Sequence, residues 1–168
     1  RLAFVGDLGM GALSYRPVLG PDRGEEQLNL RALAEASTRI LEGQADELLP
    51  QLLATGGSPG GARPKVLIWR HGDLAFSRLV GGEAWMVKFR ATIDPVDAGA
   101  VEAAYNDMAR LAGIEVCETE LLCTTDRDPG FFATARFDRV DGSRVHVHTV
   151  CGLLHADHRL PSMTYEDL

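Results

Sequence analysis

A glycine-rich stretch that ends in two cations is the clearest candidate for chemistry in this sequence. Residues 55–65 read TGGSPGGARPK and lead directly into the apolar run 66–69. Glycine has no Cβ, so successive backbone N–H groups can crowd around an anion, and Arg63 and Lys65 add fixed positive charge. The pattern predicts a phosphate-binding loop, for which a surface linker is the alternative.

The loop does not match the nucleotide-binding motifs that open a helix. The P-loop motif G-x-x-x-x-G-K-[ST] is not met, because Gly61 is followed by Ala62 and Arg63. The dinucleotide motif G-x-G-x-x-G also opens a helix, whereas a strand is predicted here. A hydrolase nucleophile at Ser58 is disfavoured, because GGSPG at 56–60 comes before a predicted strand, whereas the G-x-S-x-G motif of hydrolases forms a turn from strand to helix.

A lysine and a glutamate further along could complete a phosphate site. In the predicted strand 84–89, alternation places Met86 and Lys88 on one face, and a lysine inside an apolar strand is costly without an anionic partner. Glu102 lies beside the apolar stripe of the next helix. Protein kinases hold a strand lysine with a helix glutamate in this order. The alternatives are a lysine that snorkels at a sheet edge and a solvated acid on the helix flank.

Two further patterns concern a hinge and a metal. The predicted strand 131–136 breaks into charged residues at the position where a kinase small lobe has its adenine-binding hinge, although a plain strand end is the alternative. His146 and His148 would share one strand face, and His155 and His158 follow. No cysteine or carboxylate set completes a tetrahedral site, so ordinary polar histidines are favoured and no metal ligand is predicted.

Composition narrows the functional class. The chain has 168 residues, which suits one domain or one and part of another, and its net charge of −7 disfavours non-specific nucleic-acid binding. No apolar run has the length of a membrane span. The three cysteines, Cys117, Cys123 and Cys151, lack C-x-x-C spacing and predict reduced thiols in a cytoplasmic protein.

The remaining periodicity predicts an α+β fold with a mainly antiparallel sheet. Asn29 is an expected N-cap for a helix that ends at Gly43, and the sequence Asp94-Pro95 predicts the start of a later helix that ends at Gly113. The strands are expected at residues 2–5, 12–15, 65–69, 84–89, 119–123, 131–136 and 145–150, and a further helix at 45–53. The apolar stripe of the later helix consists of Val101, Ala104, Tyr105, Met108, Leu111 and Ala112.

These residues together resemble the HipA family, bacterial serine/threonine kinases of type II toxin–antitoxin systems. The resemblance covers nearly the whole chain in a consistent order. It rests on FVGD at 4–7, MGAL at 10–13, SPGGARPK at 58–65, VKF at 87–89, AVEAAY at 100–105, ARFDR at 135–139 and HTVCGLLHAD at 148–157.

The resemblance implies an ATP site and a regulatory serine. Lys88 would contact the phosphates and pair with Glu102, and Ser58 would match the serine whose autophosphorylation silences family members. Family members carry glutamate in place of Ala135, but backbone pairing with adenine would survive that change. The phosphates would be covered by Gly60, Gly61, Ala62, Arg63, Pro64 and Lys65, and the hinge would be formed by Ala135, Arg136 and Phe137.

The same resemblance implies a domain division and partners. Residues 1–54 would be an N-terminal subdomain whose β unit is incomplete at its start, residues 55–150 a kinase-like small lobe, and residues 151–168 the start of the catalytic lobe. The family's catalytic aspartate and Mg²⁺ ligands lie in that helical lobe, beyond residue 168. This stretch alone is therefore expected to be inactive and to bind ATP weakly, whereas the whole protein would use ATP and Mg²⁺ to phosphorylate a protein Ser or Thr.

Implied partners are an aminoacyl-tRNA synthetase as the protein substrate and a HipB-like DNA-binding antitoxin, with no direct contact of this chain to nucleic acid or membrane. Two alternatives stay open. One is a non-catalytic module, derived from a degenerate kinase, that binds an antitoxin or another partner. The other is an unrelated phosphate-binding α+β protein.

Overall fold

A computed structural model of the chain describes residues 2–19, 28–43, 63–72, 75–77, 81–123, 129–157, 160, 164 and 166. Over these residues the fold is α+β, as predicted. The helices are α1 (Leu2–Val5), α2 (Leu30–Leu41), α3 (Ala98–Leu111) and α4 (Val150–Leu153). The strands are β1 (Lys65–His71), β2 (Ala75–Ser77), β3 (Glu83–Lys88), β4 (Thr119–Leu122), β5 (Phe131–Ala135), β6 (Arg139–Val140) and β7 (Ser143–Arg144).

Five strands form one antiparallel sheet in the order β2-β1-β3-β5-β4, and β6 and β7 form a separate hairpin. The predicted strands over 65–69, 84–89, 119–123 and 131–136 correspond to β1, β3, β4 and β5. Strand β2 was not predicted. The turn expected at Asp141-Gly142 joins β6 to β7, and both residues have positive φ, of 49° and 75°, as a two-residue hairpin turn requires.

Helix α2 covers one face of the sheet, and the core lies between them. The helix begins where predicted, because the side-chain oxygen of Asn29 accepts a hydrogen bond from the backbone N–H of Ala32 at 3.1 Å. Burying a side chain such as Leu33 stabilises the fold by about 1.5–3 kcal/mol. The core consists of Leu30, Leu33, Val66, Ile68, Trp85, Val87, Phe89 and Ala133.

Helix α3 packs on the opposite face, against β4 and β5. It approaches through Gly99, where a Cβ would lie only 2.5 Å from the carbonyl oxygen of Gly130. The helix ends at Gly113 as predicted: φ is +80°, and the N–H groups of Gly113 and Ile114 donate to the carbonyls of Arg110 and Ala109.

Two expectations about α3 are wrong. The helix starts at Ala98 rather than directly after Asp94, because the Asp94 carboxylate is engaged by Arg63 and by the N–H of Ala91. The apolar stripe faces solvent, with Tyr105 65% and Leu111 89% exposed. The close approach of Gly99 to Gly130 turns a different face of the helix, the one that carries Gly99 and Glu102, towards the sheet.

Three predicted strands are absent from the described residues. Leu2–Val5 is a short helix, and residues 12–15 form no strand, because four-residue apolar runs do not distinguish the two periodicities. Residues 145–149 are irregular, and Thr149 ends this segment by capping α4 through Gly152 N–H at 3.0 Å. The predicted partial β unit at the N-terminus is therefore wrong.

Several predictions fall outside the described residues. They are the helix at 45–53, the phosphate-covering residues Gly60, Gly61 and Ala62, and the regulatory Ser58. None of the helices in the described ranges has the length and apolar character required to cross a bilayer.

Candidate nucleotide site

Lys88 and Glu102 form an ion pair between the sheet and α3. The Lys88 ammonium donates a hydrogen bond to Glu102 Oε1, and the two side chains are 27% and 35% exposed. Lys88 Nζ also lies over the Phe132 ring, 5.1 Å from its centroid. The structure thus brings together the lysine and the glutamate that the sequence singled out, although their contact with phosphate stays a prediction.

The local fold explains why this pair forms. Strand alternation sends Trp85 and Val87 into the core under α2, so Met86 and Lys88 face the other way, towards α3. Glu102 lies one turn after Gly99, on the flank that approaches β5. The close contact at Gly99 therefore brings the carboxylate within reach of the lysine.

A cavity of about 350 Å³ opens beside the ion pair. Met86, Lys88 and Glu102 line it on one side, and Phe137, which is 58% exposed, lines it on another. Met10, from the N-terminal segment, also contributes to the lining. A second cavity, of about 390 Å³, shares Lys88 and Glu102 and extends towards Arg63 and Asp94.

Positive charge gathers at the start of β1. Lys65 lies directly opposite Lys88 in the β1–β3 register, and both burial and the Lys88 charge lower the pKa of Lys65. Arg63 is held by Asp94 through bonds of 2.7 and 2.8 Å, and this guanidinium, with the N–H of Ala91, lowers the pKa of Asp94 to about 2. Arg63 thus ties the entry of β1 to the loop before α3, while its expected role on phosphates stays a prediction.

The proposed hinge residues differ in what they can still bind. The N–H of Ala135 donates to the Glu118 carbonyl at 2.9 Å, and the N–H of Arg136 to the Ala84 carbonyl at 2.8 Å. Among the described residues, nothing accepts a hydrogen bond from the N–H of Phe137. Of the three hinge amides, only that of Phe137 is without an acceptor in the described part of the chain, and the adenine-binding role of the segment stays a prediction.

Immediately after the hinge, Asp138 forms a buried cluster with two arginines, which we call the Asp138 cluster (Arg136, Asp138, Arg139). The carboxylate is fully buried and accepts from Arg136 Nη2 at 2.8 Å and from Arg139 Nη1 at 2.5 Å. Burial alone would raise the pKa of Asp138, but hydrogen bonds from Arg136 and the Gly11 N–H outweigh it and hold the pKa below its usual range.

The Asp138 cluster fastens the N-terminal segment to the sheet. Asp138 Oδ2 accepts from the Gly11 N–H at 2.7 Å, and the Gly9 carbonyl accepts from Arg136 at 3.1 Å and from Arg139 at 2.9 Å. Arg144 adds a bond to the Leu13 carbonyl at 2.6 Å. These backbone groups are therefore occupied by side chains, which explains why no strand forms at residues 12–15.

Sequence reasoning missed Met10 and Asp138. A methionine in an irregular segment carries no periodic signal, so nothing in the sequence placed Met10 at the cavity. Asp138 did carry a signal, since an acid between Arg136 and Arg139 directly after an apolar strand is a candidate buried charge cluster. Within the described part of the chain, no group of three or more His, Cys, Asp or Glu side chains is arranged to hold a metal ion, and the three cysteines are unbridged.

Comparison with known proteins gives one match. A family model, described as the HipA-like C-terminal domain, matches residues 57–168, which is more than half of the chain. No curated protein and no solved structure matches the chain significantly. The match spans β1 to α4 and includes Lys88, Glu102 and the Asp138 cluster, whereas Met10 precedes it.

Proposed function

Because the chain belongs to the HipA-like C-terminal domain family, we propose that it is the ATP-binding lobe of a serine/threonine-protein kinase. The family is related to kinases and to toxin–antitoxin systems. The observation that carries the proposal is the Lys88–Glu102 ion pair beside a cavity, on the third strand of a five-stranded antiparallel sheet and the helix that follows it. Kinases use such a pair to hold the nucleotide phosphates.

The chemistry of the site suits a nucleoside triphosphate. Lys65 and Lys88 lie opposite each other and repel, and this repulsion adds to burial in lowering the pKa of Lys65, so a bound polyphosphate would relieve part of the cost. At the other end of the cavity, the N–H of Phe137, which has no acceptor among the described residues, and the thioether of Met86 offer a donor and an apolar surface for a base.

Each residue then has a distinct task. Glu102 holds the Lys88 ammonium so that it points into the cavity, and Lys88 neutralises phosphate charge. The Phe132 ring lies under the Lys88 ammonium, 5.1 Å from ring centroid to Nζ, and keeps the ion pair partly shielded from water. ATP supplies the phosphoryl group when bound, and this lobe orients it. We assign no Mg²⁺ ligand and no catalytic base to this chain, since by resemblance they lie in the helical lobe.

The remaining functional assignments rest on the family resemblance. Gly60, Gly61 and Ala62 would cover the phosphates, and phosphorylation of Ser58 would place a dianion where ATP phosphates bind and so silence the kinase. The protein substrate would be an aminoacyl-tRNA synthetase, the regulator a HipB-like antitoxin, and the compartment the cytoplasm.

Isothermal titration of the full-length protein with ATP–Mg²⁺ tests the proposal. Lys88→Ala should weaken ATP binding roughly 10- to 100-fold, since a hydrogen bond to a charged group contributes about 1.5–3 kcal/mol. Arg110→Ala is the matched control, because Arg110 is an exposed cation on α3 whose partners are Asp107 and Thr119. Equal ATP affinity in wild type and Lys88→Ala would overturn the assignment. ATP binding without phosphate transfer to protein by the full-length chain would favour a non-catalytic module.

A further inference from the structure

We propose that Met10 contacts the base of the bound nucleotide, so that the N-terminal segment forms one wall of the nucleotide site. The inference rests on the proposed ATP-binding function. Met10 lines the same cavity as Lys88, Glu102 and Phe137 and is half-buried. It lies outside the region that the family match covers, residues 57–168.

The position of Met10 is fixed from both sides. The preceding residue, Gly9, accepts two hydrogen bonds through its carbonyl, from Arg136 at 3.1 Å and from Arg139 at 2.9 Å. The following residue, Gly11, donates its N–H to Asp138 at 2.7 Å. Because both flanking residues are hydrogen-bonded to the Asp138 cluster, the backbone on either side of Met10 is fixed beside the cavity.

The backbone at Gly11 adds a second restraint. Its φ is +76°, and a Cβ there would lie 3.2 Å from the backbone nitrogen of Val147. A side chain at this position would be strained and crowded. The glycine therefore lets the segment cross close to Val147 while Met10 reaches the cavity.

The position and the chemistry of Met10 both suit a base. The cations that favour phosphate, Arg63, Lys65 and Lys88, lie at the β1 end of the site. Met10 lines the cavity together with Arg136 and Phe137, at the hinge end. A thioether is polarisable and packs well against an aromatic ring, and three rotatable bonds let it adapt to the ring's edge or face.

The experiment separates base contact from phosphate contact. The affinities of the full-length protein for ATP and for inorganic tripolyphosphate are measured by calorimetry in wild type, Met10→Ala, Met10→Leu and Lys88→Ala. Met10→Ala should weaken ATP binding by about two- to tenfold and leave tripolyphosphate binding unchanged. Met10→Leu should restore most of the ATP affinity. Lys88→Ala should weaken the binding of both ligands.

Met108→Ala is the matched control, because Met108 is 61% exposed on α3 and lines none of the three cavities that Lys88 lines among the described residues. Unchanged ATP affinity in Met10→Ala, with Lys88→Ala impaired, would overturn the role of Met10 and leave the proposed function intact. Equal losses for ATP and tripolyphosphate in Met10→Ala would show a structural effect and would also overturn it. If wild type binds neither ligand, the proposed function itself fails.

Discussion

Two groups of paired charges flank the same cavity, and they differ in how deeply they are buried and in how many partners each carboxylate has. The Lys88–Glu102 pair is about one-third exposed and joins one donor to one acceptor. In the Asp138 cluster, the side chains of Arg136 and Asp138 are 1% and 0% exposed, and the charges bind each other and the N-terminal backbone. One buried nitrogen of the cluster, Arg136 Nη1, has no hydrogen-bond partner among the described residues.

The difference separates a group that can bind a ligand from one that holds the fold. A lysine that is 27% exposed and paired with a single carboxylate retains hydrogen-bonding capacity for an incoming phosphate. The carboxylate oxygens of Asp138 already accept hydrogen bonds from Arg136, Arg139 and Gly11, so they have little capacity left to bind a ligand. Paired charges beside a cavity are therefore better judged by their remaining capacity than by their number.

The largest expected effect is on the Asp138 cluster. Asp138→Asn leaves two arginines without their buried counter-charge and should lower the free energy of unfolding by about 3–5 kcal/mol. Urea denaturation monitored by circular dichroism measures it. The matched control is Asp107→Asn, whose carboxylate pairs with Arg110 at 2.7 Å but is 68% exposed, and which should cost less than about 1 kcal/mol. Similar losses of stability in Asp138→Asn and Asp107→Asn would contradict the stabilising role of the buried Asp138 cluster.

The same carboxylate also gives a pH dependence. The pKa of Asp138 is depressed in the folded protein, so its contribution is present above the pKa of the unfolded carboxyl, about 3.9, and is lost as the pH falls below that value. Between pH 5 and 3, wild type should therefore lose stability more steeply than Asp138→Asn. Parallel curves would contradict this.

An intermediate effect is expected from Gly99→Ala, which tests how α3 positions Glu102. The added Cβ would lie 2.5 Å from the Gly130 carbonyl oxygen. Overpacking costs about 1–3 kcal/mol and exceeds the gain in helix propensity of about 1 kcal/mol, so the net loss should be up to about 2 kcal/mol. Displacement of the helix should also weaken ATP binding.

Gly113→Ala is the comparison for Gly99→Ala. Its new Cβ meets nothing within 4 Å, and the cost, roughly 1–2 kcal/mol, comes from its φ of +80° alone. ATP affinity should then stay at the wild-type value. A loss of ATP affinity in Gly113→Ala but not in Gly99→Ala would contradict the positioning role of the contact at Gly99.

The smallest effect on stability is expected from Glu102→Gln. Because the pair is about one-third exposed, its loss should change the free energy of unfolding by less than about 1 kcal/mol, while ATP affinity falls. Thermal denaturation and calorimetry measure the two quantities. The matched control is Glu120→Gln, which removes the 2.9 Å pair with Arg70 on the sheet and should leave ATP affinity unchanged. If Glu102→Gln lost as much stability as Asp138→Asn, the Lys88–Glu102 pair would hold the fold as the Asp138 cluster does, and the contrast between them would be wrong.

Much of the sheet could be predicted from the sequence, because its signal is local. Alternation in β3 correctly placed Met86 and Lys88 on one face, and Asn29 and Gly43 marked the ends of α2. The start of α3 was predicted wrongly, because Asp94 has the right residue type for an N-cap but is claimed by Arg63, 31 residues away. Local helix propensity does not include a partner that is distant in sequence, such as Arg63.

The site was predictable only in part, for the same reason. The proximity of Lys88 to Glu102 followed from the order of strand and helix. The orientation of α3 did not, because the apolar stripe at Tyr105 and Met108 indicated the wrong inward face. The hydrogen bonds of Gly9 and Gly11 could not be predicted either, because they are made by backbone groups, which every residue has.

The hydrogen bond between Gly11 and Asp138 joins residues that are 127 positions apart. During synthesis, residues 9–13 emerge before their partners Asp138, Arg139 and Arg144. At about 5–20 residues per second, the ribosome would need roughly 6 to 25 s to bridge that gap. For that interval the segment lacks these partners, so residues that are made earlier reach their native position only after residues that are made later.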